Sequence, residues 1–204
     1  MEKLDLKKTL KSLYTAKPNK HEVVTVPELS YLMIDGEGDP NNSKQFSDAI
    51  EALYSVSYNL KFALKKQVGT PEYTVMPLEG LWWCDDMTQF SPANKAAWKW
   101  TLMILQPDFI TNLQVREAIS AVKEKKGFPA LSQLRFEKMN EGECVQVLHV
   151  GPFSTEPATI GQLHEYIHKN GYELTGKHRE IYLSDMRRTA PEKLKTIIRQ
   201  PVKR

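Results

Sequence analysis

The chain has 204 residues, enough for one large domain or two small repeats fused into one core. Apolar residues make up 41% and charged residues 26%, the balance of a soluble globular protein, and no apolar run approaches the ~20 residues that span a bilayer. A net charge of +3, from 28 basic and 25 acidic residues well mixed along the chain, is too weak to point to a nucleic-acid partner.

Residues 1–16 read as a helix, with Leu6, Leu10, Leu13 and Tyr14 on one face, ended by Pro18-Asn19 and docked on the domain that follows. Its first residues are charged and lack the apolar region of a signal peptide, so the expected address is the cytoplasm. Glu22–Val26 and Tyr31–Asp35 read as strands, separated by Pro27 and closed by a turn at Gly36-Glu37-Gly38. That turn lacks the further residues of a phosphate loop. Asn42 or Ser43 caps a long helix to about Gln67. Tyr54, Tyr58 and Phe62 form a ladder along it at i, i+4, i+8, read as core.

Tyr73–Met76 and Leu81–Cys84 read as a hairpin around Pro77 to Gly80, followed by a polar loop over 85–96. Trp98–Leu105 is a strand with Trp98, Trp100, Leu102 and Ile104 on one face. Asn112 to Lys126 is an amphipathic helix stopped by Gly127. Leu134–Lys138 and Cys144–Val150 read as a second hairpin. After Gly151-Pro152-Phe153, a helix runs from Ser154 or Thr155 to about Lys169 and stops at Asn170-Gly171. Tyr172–Leu174 and Arg179–Ser184 are strands. Thr189 to Glu192 has capping-box spacing and predicts a C-terminal helix through Ile198, with Lys193, Lys195 and Arg199 on a solvated face.

Two halves share one order: strand, Gly-containing turn, helix, strand, strand. Aligning their ends lays Trp82 on Tyr182 and Gly80 on Glu180. The fold class is therefore α+β: duplicated βαββ units with pseudo-two-fold symmetry, antiparallel sheets, helices on one side and a central ligand cleft at the seam. Expected boundaries are an N-terminal helix at 1–20, the domain at 21–186 (repeats 21–96 and 97–186), and a C-terminal helix and tail at 187–204. In the strand Arg179 to Asp185, Glu180 and Tyr182 share one face while Ile181 and Leu183 share the other. A carboxylate beside an aromatic ring suits a cationic or polarised aromatic ligand.

Other chemistry is thin. Cys84 and Cys144 read as buried reduced thiols. His164-Glu165-Tyr166-Ile167-His168 has the spacing of a zinc-protease helix, but no third ligand can be picked out, and two surface histidines are the simpler reading. No metal or cofactor is expected.

Val150-Gly151-Pro152-Phe153, a helix, and then Glu180-Ile181-Tyr182-Leu183-Ser184-Asp185 resemble the GyrI-like small-molecule-binding domain. The tail from Arg187 to Lys195 and the start from Leu6 to Tyr14 are similar to its standalone members. The resemblance implies a duplicated βαββ fold that binds cationic, aromatic drugs through an acidic residue and several rings. In transcriptional activators of the family the domain is joined to a helix-turn-helix reader, for which the roughly 20 residues ahead of the first strand are too few. One standalone subfamily, the cyclopropanoid cyclopropyl hydrolases, acts on cyclopropane-bearing DNA alkylators, using an aromatic cage. By motif position Glu180 and Tyr182 become the catalytic candidates. Trp82, Trp100 and Phe153 join them as ligand-binding candidates, Trp82 and Trp100 by alternation and pseudo-symmetry.

Three functions follow: a xenobiotic-binding protein, a hydrolase of strained rings with Glu180 as acid or base and Tyr182 holding the oxyanion, and a non-catalytic module docking a gyrase-type protein. For the hydrolase, burial among rings is expected to raise the Glu180 pKa. The expected partner is a small molecule, with no nucleic acid and no membrane.

Overall fold

The computed structural model describes residues 3–67, 69–87 and 90–204. The expected helix start at residues 1–2 and loop positions 88–89 lie outside them. Two short helices, α1 (Leu6–Thr9) and α2 (Lys11–Tyr14), are followed by β1 (Glu22–Val26), β2 (Leu29–Glu37) and α3 (Lys44–Lys65). Then come β3 (Leu78–Trp83), β4 (Lys99–Leu105), α4 (Asn112–Lys126), β5 (Arg135–Met139) and β6 (Gly142–Val150). The chain closes with α5 (Glu156–Lys169), β7 (Glu173–Leu174), β8 (His178–Tyr182) and β9 (Lys195–Lys203). Among the described residues the strands form one nine-stranded antiparallel sheet in the order β1-β6-β9-β8-β3-β4-β2-β5, with β7 on the end of β9.

The duplication is visible in this order. The first unit is β2-α3-β3-β4 and the second is β6-α5-β8-β9, and they abut where β3 pairs with β8. Gly80 stands directly opposite Glu180 in that ladder. The same two residues were aligned as repeat equivalents, so the pseudo-two-fold axis passes between them.

Neither expected hairpin forms. Tyr73 makes an isolated bridge to Leu4 and does not pair with β3; the last two strands of the first repeat are β3 and β4. β5 and β6 do not pair with each other either. β5 pairs with β2 and β6 with β1, in one continuous register from Glu22↔Gln146 through Val26↔Gly142 and Leu29↔Met139 to Met33↔Arg135. They are the two halves of a single long ribbon, bent at 27–28 and 140–141. Laid flat, β1 and β2 would sit six strand spacings apart, roughly 29 Å. The three peptide steps from Val26 to Leu29 reach at most ~11 Å. The sheet must therefore curl on itself, with an outer face and an enclosed inner one.

Helices α3 and α5 pack on the outer face. α3 covers β2 and β4 with Ala49, Leu53, Val56 and Leu60; α5 covers β6 with Leu163 and Ile167. The inner face is polar at its centre. Arg179 is fully buried, bonds both Glu79 and Glu141, and donates to the Tyr31 hydroxyl at 2.8 Å. Tyr14 donates to Glu79 at 2.6 Å, and Arg199 donates to Gln146 and to the Leu13 carbonyl. The single N-terminal helix of the sequence reading is thus broken at Leu10, and its second half plugs the curled sheet.

The C-terminal helix is a correction. Pro191–Lys193 is one 3-10 turn, and Lys195–Lys203 is a strand between β6 and β8. Thr196, Ile197 and Ile198 favour a strand, and their burial on both faces outweighs the capping-box spacing. Arg199, expected in solvent, is buried. The aromatic ladder is a second correction: Tyr54, Tyr58 and Phe62 do stack, but Tyr58 and Phe62 are exposed. No helix among the described residues is long and apolar enough to cross a membrane.

Candidate functional site

Because α3 lies over β2 and β4 and α5 over β6, the outer faces of the two middle strands, β3 and β8, lie between the helices. Trp82, Glu180, Tyr182 and His178 present their side chains there, and Gly80 its bare backbone, since cross-strand partners share a face. Gly80 is required. A Cβ at that position would lie 2.7 Å from Trp82 Nε1 and 3.0 Å from the Tyr182 hydroxyl. The space it leaves holds a hydrogen-bonded chain. Trp82 Nε1 donates to Tyr182 Oη at 3.0 Å, and Tyr182 donates to Glu180 Oε2 at 2.8 Å. His178 Nε2 meets Glu180 Oε1 at 3.2 Å. With both oxygens held, the carboxylate has one orientation. Its side chain is 14% exposed, so it is neither sealed in nor adrift in bulk water. Burial, followed by the Glu180 charge, raises the Tyr182 phenol well above its ordinary value.

Rings surround this chain. Phe46 of α3 lies 5.8 Å from Trp82, Trp98 meets Trp82 edge-on at 5.6 Å, and Phe90 stacks on Trp98 at 4.9 Å. Phe153 packs edge-on against Tyr182 at 5.9 Å and is partly exposed at the rim. Trp82 and Tyr182 thus come together with Glu180 and Phe153. Trp100 does not join them. It is fully buried, its indole filling the space over Gly36, and it props Phe46 at 5.0 Å.

The sequence reading passed over Phe46, Phe90, Trp98, His178 and, above all, Glu156. Phe46 falls inside the long helix that begins at Asn42 or Ser43, and Phe90 in the segment read as polar loop. Glu156 is the first residue of α5 and is 5% exposed. An acid in a first helical turn is ordinarily a solvated charge near the helix dipole, so the local pattern carries no signal of its burial. Here it turns inward, near Thr196 and within reach of the Glu180 charge. Burial first, then Glu180, pushes its carboxyl up to about 9. Burial favours its protonated form, and two carboxyl groups, not one, stand at the seam.

Elsewhere, the Nε2 atom of His164 is buried without a partner while His168 is exposed. Among the described residues no group of three His, Cys, Asp or Glu side chains is placed to hold a metal. Cys84 and Cys144 are free and buried. A separate groove of ≈ 330 Å³ runs between α3 and α4, lined by Tyr54, Tyr58, Phe62 and Lys125 among others.

A family model of the GyrI-like small-molecule-binding domain matches residues 19–203. Among solved structures, the chain is similar to an uncharacterized conserved protein of Listeria innocua, with 39% identity, TM-score 0.91, and 98% of this chain and 100% of that one covered. It is also similar to a protein of the same organism described as a hydrolase, with 37% identity, TM-score 0.89, and 99% and 100% covered. The C-terminal domain of EcmrR shares the fold at 16% identity and TM-score 0.57, over 91% of this chain and 98% of that one. No curated protein matches the chain. With a match that runs nearly end to end, this chain belongs to the GyrI-like small-molecule-binding domain family.

Proposed function

We propose that the protein binds aromatic, hydrophobic or cationic small molecules over the β3–β8 seam and hydrolyses cyclopropane-bearing DNA alkylators there. The observation that carries this reading is the Glu180 carboxylate, held at both oxygens by Tyr182 and His178, with Phe46 packed on Trp82 and Phe153 packed on Tyr182. The rings supply flat contact worth ~0.5–1.5 kcal/mol each beyond area burial. Glu180 accepts the proton of an attacking water. The likeness to Listeria innocua proteins described as hydrolases, at 37% and 38% identity, supports chemistry over simple sequestration.

The Tyr182 hydroxyl proton is directed at Glu180 in the resting site. Tyr182 is therefore first the group that orients the base. It holds a developing oxyanion only by turning from that bond. The test is incubation with a spirocyclopropyl cyclohexadienone, with ring-opened product followed by absorbance and mass. Wild type is expected to turn over, and Trp82→Ala and Tyr182→Phe to lose activity. Saturable binding with turnover equal to the buffer blank would leave a sequestering module instead.

A further inference from the structure

We propose that Glu156 is the proton donor of this site, a neutral carboxylic acid that works opposite the Glu180 carboxylate. The inference rests on the hydrolytic reading above and assigns the step that reading leaves open. Opening a carbonyl-conjugated ring needs a base for the water and an acid for the carbonyl oxygen. Glu180 is placed to be the base. The donors beside it are already engaged: Tyr182 gives its proton to Glu180, and Trp82 gives its N–H to Tyr182.

Glu156 is the group at this end of β8 with an unspent polar atom. Thr196, which lies near it, is the direct cross-strand partner of Tyr182, and Phe153, three residues before Glu156, packs on the Tyr182 ring, so the Glu156 carboxyl stands over the Tyr182 end of the seam. Its Oε1 is buried and has no hydrogen-bond partner. A buried, unpaired oxygen on an ionisable group is costly. That cost falls when a ligand carbonyl takes the proton in a hydrogen bond. From β8 it faces Glu180 and Tyr182, and from β9 the uncharged Thr196. On β6, His149 is spent on Thr159 and on the turn at Pro152 and Thr155. No cation among these favours an ionised Glu156.

The step balances. The water oxygen bonds to a ring carbon as one ring C–C bond breaks. The released electron pair runs through the conjugated system to the carbonyl oxygen. Glu156 gives that oxygen its proton, and Glu180 takes one from the water. The product is a neutral phenol bearing the new hydroxyl. The proton then passes from Glu180 back to Glu156, restoring the pair.

The experiment measures turnover of the spirocyclopropyl cyclohexadienone against pH in wild type and Glu156→Gln, with equilibrium binding measured in parallel. The amide keeps the shape and a hydrogen bond but has no proton to give. The expected result is a kcat lower by about 100-fold or more, with binding within about threefold of wild type. The alkaline fall of the wild-type kcat should also vanish from the variant's profile. Glu156→Asp, which keeps the acid but draws it back by one methylene, should lower kcat by about tenfold; it carries the test should Glu156→Gln fail to fold, and a wild-type rate in it overturns the donor. Wild type that binds but leaves the ring closed overturns the hydrolytic reading and the donor with it. Active wild type matched in rate by Glu156→Gln overturns the donor alone.

Discussion

Glu79→Gln is expected to cost about 3–4 kcal/mol of stability, because the β3–β8 seam is fastened from behind by buried charges. Glu79 and Arg179 precede Gly80 and Glu180 in the chain and point to the inner face, so their ion pair ties β3 to β8 beneath the hydrogen-bonded chain. Both side chains are fully buried. Glu79 accepts from Tyr14 at 2.6 Å and from Arg179 Nε at 2.8 Å. Arg179 and Arg199 balance Glu79 and Glu141 in this enclosure. Neutralising Glu79 leaves two cations facing one anion. The new amide can accept from Tyr14 only by turning its own N–H groups toward the Arg179 donors. Breaking a buried pair from one side costs about 3–5 kcal/mol, and the retained Tyr14 bond places this case at the lower end. Against a urea dependence of about 2–3 kcal/mol per molar, the midpoint should drop by about 1–2 M. Urea melts at pH 7, followed by circular dichroism and tryptophan fluorescence, measure it. The double variant Glu79→Leu with Arg179→Met removes both charges together and should lose at least about 2 kcal/mol less than the two single losses summed. A Glu79→Gln midpoint within about 0.3 M of wild type would refute the reasoning, since the buried charges would then not depend on one another.

Three further outcomes are expected. Gly80→Ala drives a methyl to within 2.7 Å of Trp82 Nε1 and should break the Trp82–Tyr182 bond; ligand affinity read by tryptophan quenching should weaken by about 5- to 30-fold, the equivalent of about 1–2 kcal/mol for one buried donor left unpaired. Glu156 has a folded pKa of about 9 against an ordinary 4.5, so the folded state keeps the proton longer. Its stabilisation is complete below pH 4.5 and fades as pH rises toward 9, with roughly 3 kcal/mol lost by pH 7, whereas Glu156→Gln should show no such decline in urea melts across that range. Phe62→Ser, on the exposed ladder, should change stability by less than about 0.5 kcal/mol, while Leu60→Ala, one face away and buried, should cost about 2–5 kcal/mol by the same melts.

What was legible in the sequence is what local patterning controls. The Ser43 cap marked the start of α3, the amphipathic pattern and Gly127 marked α4 and its end, and the alternation in β4 and β8 assigned their faces correctly. The repeat was found from element order. Its key alignment, Gly80 on Glu180, holds although two of the strands used to argue it were misplaced. What failed depends on closure of the sheet. β5 and β6 look like a hairpin because Asn140 to Glu143 is good turn sequence. β5 pairs instead with β2 and β6 with β1, each more than a hundred residues away, and only the curl of the whole sheet brings these pairs together. β9 fails for the same reason: a strand buried on both faces has no alternation to read, and the nearby capping spacing then decides wrongly.

The site divides along the same line. That Glu180, Tyr182 and Trp82 lie together was readable because strand alternation and pseudo-symmetry both act on them. Trp100 had the same alternation yet lies in the core, because the neighbouring strand offers Gly36, whose missing side chain the indole fills. Gly80 vacates equivalent space on β3, but its occupants are the Trp82 and Tyr182 polar ends that reach Glu180. Two glycines on one outer face thus have opposite consequences: one sinks a ring out of reach, the other opens room for polar atoms. The axis explains why the second pair is asymmetric. A residue next to a two-fold axis meets its own equivalent, so glutamate in both repeats would place two carboxylates directly across one ladder rung, where like charges repel. Glycine in the first repeat and glutamate in the second avoid that repulsion and give the seam a single charge. The second acid, Glu156, comes from a helix instead of the ladder, and its proton lets it share the enclosure with Glu180.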